Sequence, residues 1–223
     1  MTLSRARGAS ALPLAVAVAI CGASAASAQA ASPLLADSIG IAKARADSLR
    51  YPYTAADVQF LSHMIGHHAQ ALVMAGWAPS HGANPEVQRL AARIINAQTD
   101  EINIMQNWLR DRRQPVPEAK AGPMKMVMNG MEHEMLMPGM LTDEQMKELD
   151  QARGTDFDRL FLRYMIQHHR GAVSMVNDLF QTPGAAQDET VFKFANDVNV
   201  DQTTEIARMQ HLLELLVSGE PLS

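Results

Sequence analysis

Residues 60–68 read FLSHMIGHH, and residues 161–169 read FLRYMIQHH. The offset of 101 residues between these segments pairs further residues: Thr54 with Thr155, Asp57 with Asp158, Ala71 with Ala172 and Met74 with Met175. Matches that recur at one constant spacing indicate an internal duplication. The chain is therefore predicted to contain two related halves.

The repeated residues share one face if each copy is a helix. Successive residues of an α-helix are rotated by about 100°, so side chains three or four positions apart lie on the same side. In the first copy this face comprises Asp57, Phe60, Leu61, Met64, His67, His68, Ala71, Met74 and Ala75, and in the second it includes Asp158, Met165, His168, His169, Ala172 and Met175. A largely apolar face turns inward. Two such helices would direct four imidazoles and four thioethers toward one interior.

Local signals predict where the helices begin and end. Thr54 can cap a helix that ends near residues 76–79, with Asp57 in the position of a capping-box acid. Asn84 and Pro85 then start a helix that runs to about residue 110. A shorter helix, opened by Thr142 with Gln145 three residues later, should end near residue 154.

The inward face of the second helix recurs late in the chain. At an offset of 104, Gln98, Glu101, Ile102, Met105, Trp108 and Leu109 correspond to Gln202, Glu205, Ile206, Met209, Leu212 and Leu213. No stretch shows sustained period-two alternation, so no strand is expected. The prediction is an all-α protein, a four-helix bundle made of two duplicated antiparallel helix pairs with a long Met-rich connection.

The first 28 residues have the pattern of a cleavable export signal. Two arginines precede an apolar run from Ala11 to Ile20, and residues 26–28 read ASA, a small-residue cleavage site. The run is shorter than the about 20 residues of a membrane-spanning helix. The only cysteine, Cys21, lies in this signal, so no disulfide is expected in the mature protein. We expect a product without a membrane span that is periplasmic or secreted.

Beyond the signal, the predicted organisation has three parts: a flexible N-terminal lead-in at 29–53, a four-helix bundle domain at 54–216 and a C-terminal tail at 217–223. Within the domain, the halves 54–110 and 155–216 lie on either side of a connector at 111–141. The whole chain has 19 Lys and Arg against 24 Asp and Glu, a formal charge of −5. Nucleic-acid-binding domains are usually basic, so no nucleic acid partner is expected.

The connector is rich in methionine. It contains Met124, Met126, Met128, Met131, Met135, Met137 and Met140, which is about half of the chain's 15 methionines, together with His133. Gly130, Pro138 and Gly139 interrupt the segment, so a regular buried helix is not expected. Methionines usually fill a core. These have no obvious core to fill, which favours a different role.

Thioether and imidazole side chains indicate a soft metal ion. Such ligands select Cu(I), or Ag(I) by the same logic, over Mg, Ca or Mn, and Cu(II) is an alternative. Structural zinc sites more often use cysteine thiolates, and di-iron bundles need a Glu-x-x-His motif on two helices, which this sequence lacks. The candidate ligands are Met64, His67, His68, Met74, Met165, His168, His169 and Met175. Additional candidates are His63, Met105, Met209 and the connector's methionines and His133.

Two details of this ligand set follow from helix geometry. Adjacent histidines point about 100° apart, so one member of each doublet would coordinate while its neighbour faces another helix. His63 lies four residues before His67 and could join it, but the second copy has Tyr164 at that position.

The other inward polar residues are predicted to support the histidines. A buried carboxylate needs a partner, and an imidazole N–H that donates to it would fix which nitrogen faces the metal. The candidates for this role are Asp57, Gln98, Glu101, Asp158, Gln202 and Glu205. Two alternatives stay open: a metal-free polar network that sets the helix register, and a capping role for the two aspartates.

The doubled motif resembles a known family. Phe-Leu-x-x-Met-Ile-x-His-His-x-x-Ala-x-x-Met occurs twice, Gln-x-x-Glu-Ile-x-x-Met follows each copy, and the Met-rich segment precedes LTDEQM at residues 141–146. This pattern is similar to the "domain of unknown function 305" family over roughly residues 54–216. The resemblance implies a ferritin-like four-helix bundle, export, and an association with copper binding and copper tolerance through the histidines and methionines of the motif.

We therefore expect an exported copper-binding protein that sequesters Cu(I) or hands it on, in copper homeostasis or tolerance. Its partners would be metal ions and another exported copper protein, and it would not be an enzyme. Two alternatives stay open. One is a redox enzyme in which a bound metal cycles with oxygen or peroxide on a ferritin-like bundle, and the other is a metal-free helical interaction module.

Overall fold

The structure is a computed structural model that describes residues 33–50, 52–128 and 131–222, with side chains at 38–46, 52–123, 131 and 134–222. The predicted export signal lies outside the described residues. The elements in these ranges are α1 (Pro33–Arg50), α2 (Ala55–Gly76), α3 (Pro85–Asp111), β1 (Met124–Met128), β2 (Met131–Met135), α4 (Asp143–Gln151), α5 (Gly154–Gln181) and α6 (Glu189–Ser218). The all-α class is confirmed, with one short hairpin added to it.

The capping signals place three helix starts correctly. At α2, the Asp57 N–H donates to the Thr54 hydroxyl, and the Thr54 N–H donates to the Asp57 carboxylate at 2.6 Å. The same reciprocal arrangement joins Thr142 and Gln145 at the start of α4. At α3, the side chain of Asn84 accepts from the backbone of the first turn. These bonds satisfy N–H groups that have no partner within the helix.

The helices pack as two sequential pairs. α2 packs against α3, α5 packs against α6, and α2 and α5 contact each other. α2 and α5 carry the two copies of the histidine motif, so the contact between them brings both copies together. Residues 33–50, predicted to be part of a flexible lead-in, form helix α1, which contacts α3. Within the described ranges, every helix is too short or too polar to span a bilayer.

Buried apolar side chains form two clusters. Met64, Met105 and Met175 belong to the first, and Met165, Met209 and Met74 belong to the second. Methionines that correspond by the sequence offsets therefore lie in opposite clusters.

The connector contains a hairpin that the sequence prediction missed. β1 and β2 pair antiparallel, with Met124 opposite Met135, Met126 opposite His133 and Met128 opposite Met131. Positions two apart and directly opposite positions belong to one face of a hairpin. Two signals were present in the sequence: methionine alternates at positions 124, 126 and 128, and residues 129–130 read Asn-Gly, the dipeptide favoured in two-residue hairpin loops.

The end of the connector also differs from the prediction, because two of its methionines do have a core to fill. Met137 and Met140 are buried in the first cluster. They belong to residues 136–141, which we call the strap. Gln70 of α2 holds the strap through both backbone groups of Leu141, donating to its carbonyl at 3.0 Å and accepting from its N–H at 2.7 Å.

On α5, the strap lies directly against Gly171. A Cβ atom at this position would lie 1.8 Å from the Pro138 carbonyl oxygen, far closer than atoms can approach. Only glycine allows this contact between the strap and the helix.

Candidate metal centre

Four histidines form a fully buried group where α2 meets α5, which we call the histidine layer: His67, His68, His168 and His169. The rings of His67 and His168 are the closest, with centroids 3.8 Å apart and planes 39° apart. Within each doublet the centroids are 6.3 Å and 6.2 Å apart. The structure therefore brings the two doublets into one interior.

Backbone carbonyls fix the protonation of the two central rings. Nε2 of His67 lies 3.0 Å from the Pro138 carbonyl oxygen, and Nε2 of His168 lies 3.0 Å from the His67 carbonyl oxygen. A carbonyl can only accept a hydrogen bond, so each Nε2 carries the hydrogen. Nδ1 of a neutral ring then bears the lone pair.

Carboxylates likewise place the hydrogen on Nε2 in the other two rings, those of His68 and His169. Nε2 of His68 donates to Glu101 of α3 at 2.8 Å, and Nε2 of His169 donates to Glu205 of α6 at 2.7 Å. Both glutamates are half-buried. The predicted hydrogen bonds from histidine to glutamate are found in both halves, while a role beside a metal stays a prediction.

Among the described side chains, none of the four buried Nδ1 atoms has a hydrogen-bond partner. A buried polar atom without a partner costs about 1–3 kcal/mol. Neutral imidazole nitrogen is also a common metal ligand, and its second nitrogen usually donates to a carboxylate or a carbonyl, as here. Each ring thus has a free lone pair on Nδ1 that could coordinate a metal ion.

Burial keeps the central rings neutral. Desolvation, followed by repulsion from His68, lowers the pKa of His67 to about 3. Desolvation, followed by repulsion from His67, lowers the pKa of His168 well below its ordinary value of 6.5. Both rings are therefore in the form that binds metal ions at neutral pH.

The predicted methionine ligands are buried in the two apolar clusters. Met64, Met105 and Met175 lie in the first, and Met74, Met165 and Met209 lie in the second. Within the described ranges, no three His, Cys, Asp or Glu side chains are arranged to hold a metal ion. A site in the histidine layer would therefore use few imidazoles with other donors, and coordination by the methionines stays a prediction.

The two aspartates hold loops, and their hydrogen bonds do not go to the histidines. Asp57 caps α2 and accepts from the Ala186 N–H at 2.6 Å, while Asp158 accepts from the Asn84 N–H at 3.0 Å. Each aspartate lies ten residues before the first histidine of its doublet, which is about 15 Å along a helix. The capping alternative is confirmed for Asp57. Burial raises the pKa of Asp158.

The two glutamines also differ from the prediction. Gln98 and Gln202 are buried, but both side-chain polar atoms of Gln98 and Oε1 of Gln202 have no partner among the described residues. They line a cavity of about 370 Å³ between α3 and α6 together with Glu101, Glu205 and Asp201. Burial, followed by repulsion from the two glutamates, raises the pKa of Asp201.

The additional candidate ligands lie in several different places. His63, Met135 and Met137 line one cavity of about 320 Å³ together with the primary candidate Met175, and we call this cavity the cleft. Met131 and Met140 lie outside its lining, the first exposed and the second buried. The side chains of Met124, Met126, Met128 and His133 lie outside the described residues.

Sequence reasoning missed the contribution of the strap. Pro138 provides the acceptor for His67, and Gly171 and Gln70 hold the strap on α5 and α2. A signal existed, because Gly171 and Gln70 occupy equivalent positions at the offset of 101 and yet differ in type. A glycine inside a helix lowers its stability and usually has a packing reason, so Gly171 indicates a close contact on that face of α5.

Solved structures resemble this chain over most of its length. A DUF305 protein from Streptomyces coelicolor, described by name as secreted, is 30% identical with a TM-score of 0.62, covering 75% of this chain and 98% of that one. A DUF305 fragment from Deinococcus radiodurans is 30% identical with a TM-score of 0.60, covering 73% and 97%. CopM in its Cu(II)-bound form is 29% identical with a TM-score of 0.55, covering 71% and 95%. CopM also matches in its Cu(I)-bound and Ag-bound forms.

Among curated proteins, an uncharacterized protein of Acanthamoeba polyphaga mimivirus is 39% identical over 57 residues. That match spans 26% of this chain and 38% of the relative's length. The family model described as "Domain of unknown function (DUF305)" matches residues 57–213, which include both copies of the histidine motif. The chain therefore belongs to the DUF305 family.

Proposed function

We propose that this protein is an exported copper-binding protein that sequesters Cu(I) or hands it on, and that it is not an enzyme. The observation that carries the proposal is the set of four buried Nδ1 atoms without partners in the histidine layer. Neutral imidazoles, with thioethers as further donors, suit a soft ion such as Cu(I) or Ag(I), and Cu(II) is the alternative copper ion. Copper is the cargo of this site.

The comparisons support the choice of ion. CopM, which is 29–30% identical to this chain, has structures in Cu(I)-bound, Cu(II)-bound and Ag-bound forms. A relative at this level of identity makes copper the first ion to test here. We propose a role in copper homeostasis or tolerance, with another exported copper protein as the partner that gives or takes the ion.

The same proposal includes the architecture and the location. The pairs α2–α3 and α5–α6, with the long connection between them, support a ferritin-like four-helix bundle built from duplicated halves. The signal-like pattern of residues 1–28 and a neighbour described as secreted support a periplasmic or secreted protein.

The test is an anaerobic Cu(I) titration of the purified protein against a chelator that competes for Cu(I). Replacing all four histidines of the layer by alanine should abolish binding to the layer. Four buried substitutions threaten the fold, so the pair His67→Leu and His168→Leu provides a second variant with apolar side chains in the space of the two facing rings. His211→Ala, at an exposed histidine on α6, is the matched control. A folded four-histidine or two-leucine variant that binds as many Cu(I) ions as the wild type, with the same affinity, would refute the site.

One observation favours a second candidate, a metal-free helical interaction module. All four Nε2 atoms already have acceptors without any metal, so the network could serve only to set the helix register. A ligand that binds the folded state raises the melting temperature. In this alternative, a chelator leaves the melting temperature of the isolated protein unchanged and added copper does not raise it.

A further inference from the structure

The cleft brings soft donors from three separate elements into one concave surface. His63 comes from α2, Met175 comes from α5, and Met135 and Met137 come from β2 and the strap that follows it. The volume of about 320 Å³ leaves room for a ligand beside these side chains. One imidazole and three thioethers form a donor set with the softness that suits Cu(I) and Ag(I).

His63 has no hydrogen-bond partner among the described side chains and backbone, although its side chain is half-buried. Its ring nitrogens are not among the buried atoms without partners, so they reach the solvent of the cavity and are open to a ligand there. The sulfur atoms nearby are only weak hydrogen-bond acceptors. They are good ligands for soft metal ions, and the imidazole of His63 would complete the donor set for the same ion.

The other half of the duplication does not repeat this donor set. Tyr164 occupies the position of His63, and its hydroxyl donates to Glu148. Met74 occupies the position of Met175 and is completely buried. The half beside the connector thus has His63 and Met175 at the cleft, whereas the other half has a tyrosine and an enclosed methionine at the equivalent positions.

The cleft and the histidine layer are adjacent, because both contact the strap. The exposed fraction of the cleft methionines falls from 42% at Met135 to 8% at Met175 and 6% at Met137. Pro138 lines the cleft, and its carbonyl oxygen accepts the hydrogen bond from His67. The strap is therefore shared by the cleft and the layer.

We propose that the cleft is a second soft-metal site, distinct from the histidine layer, in which His63 and the sulfur atoms of Met135, Met137 and Met175 bind Cu(I) or Ag(I). The inference rests on the proposed function and deepens it, because it names the place where an ion is taken up at the surface before it reaches the layer. Transfer from the cleft to the layer is an exchange of ligands and needs no change in the charge of the ion.

The experiment uses Ag(I) as a probe that is not oxidised by air. Native mass spectrometry counts the bound ions, and NMR of the protein labelled with ¹³C at the methionine methyl groups reports which sulfur atoms respond. In the wild type, the methyl signals of Met135, Met137 and Met175 should shift as Ag(I) is added. A variant with His63→Ala and Met135→Leu should bind one ion fewer, and the Met137 and Met175 signals should no longer shift.

Leucine replaces methionine with little change in volume, so the variant should fold. Met146→Leu, on α4 and outside the cleft, is the matched control and should bind as many ions as the wild type. An unchanged number of ions in the cleft variant, or methyl signals of the cleft methionines that do not respond to Ag(I), would overturn the inference. Loss of binding only on substitution of the four buried histidines would refute the cleft and leave the proposed function intact. No ion bound to the wild type would refute both.

Discussion

His67 and His168 occupy the same position in the two copies of the motif, but their Nε2 atoms donate to different partners. His168 donates to the backbone of His67, in the opposite copy. His67 donates to Pro138, in the strap, which has no counterpart in the duplication. The duplication thus provides the pair of facing rings. The connector, which is not repeated, gives the two rings different hydrogen-bond acceptors.

The same difference is present one turn further along each helix. Gln70 of α2 binds the backbone of Leu141, and the equivalent Gly171 of α5 leaves the space in which Pro138 lies. In one copy, therefore, a long side chain binds the strap through hydrogen bonds. In the other copy, the lack of a side chain lets the strap pack directly against the helix. Substitutions at these positions should show how much the strap contributes to stability, apart from the contribution of the repeated helices.

The largest effect is expected from Gly171→Ala. The new Cβ atom would meet the Pro138 carbonyl oxygen and displace the strap, together with the acceptor of His67. We expect the free energy of unfolding, measured with urea, to fall by about 3 kcal/mol, the upper part of the range for overpacking. Gly76→Ala, where a Cβ atom meets nothing within 4 Å, is the control and should change little. Equal stability of the two variants would mean that the strap does not lie on α5.

A smaller loss is expected from Gln70→Ala. It leaves the buried N–H and carbonyl of Leu141 without their partner while creating no clash. The free energy of unfolding should fall by about 2 kcal/mol, since an unsatisfied buried backbone group costs about 1–3 kcal/mol. The exposed Gln210→Ala should fall within the experimental error of the wild type. A Gln70 variant as stable as this control would contradict the anchoring of the strap by α2.

The His68–Glu101 and His169–Glu205 hydrogen bonds do not involve the strap, so the two pairs should contribute equally to metal affinity. Glu101→Gln and Glu205→Gln each keep an acceptor for the neighbouring histidine but remove its charge. Partners of metal-binding histidines typically change metal affinity by 10–100-fold, so we expect each substitution to weaken Cu(I) binding about tenfold, and both by the same factor. Weaker Cu(I) binding in only one of the two variants would show that His68 and His169 also contribute unequally to the site.

The smallest effect concerns pH and the metal-free protein. The pKa of His67 is about 3 in the folded state, against 6.5 ordinarily. Below pH 6.5 the unfolded chain therefore binds a proton that the folded protein does not, and stability falls as the pH is lowered toward 3. At pH 5.5 His67 should lower the free energy of unfolding by roughly 1 kcal/mol, with His168 acting in the same direction.

Urea unfolding at a series of pH values measures this effect. The variant with His67→Leu and His168→Leu should lose less stability between pH 7 and pH 5.5 than the wild type. Parallel curves for the two proteins would show that the central rings are not buried in the neutral form.

The features that the sequence predicted correctly are those encoded locally. Thr54, Asn84 and Thr142 start helices through side chains that reach only two or three residues along the chain, and the periodicity of the motif places its histidines inside. The hairpin is also encoded locally, in the alternation of methionine along β1 and in the Asn-Gly dipeptide that follows, although alternating methionines equally suit a set of metal ligands. The strap could not be predicted in this way, since Gln70 and Leu141 are 71 residues apart. Which helix face a connector covers depends on the packed structure.

We expect the histidine layer to bind a soft ion through Nδ1. NMR of the protein labelled with ¹⁵N in its histidine rings distinguishes the two nitrogens, and Ag(I) serves as the ion. The Nδ1 signals of the layer should shift on addition of Ag(I), while the Nε2 atoms of His67 and His168 stay protonated. Nδ1 signals that remain unchanged at saturating Ag(I), or a shift confined to Nε2, would contradict this expectation.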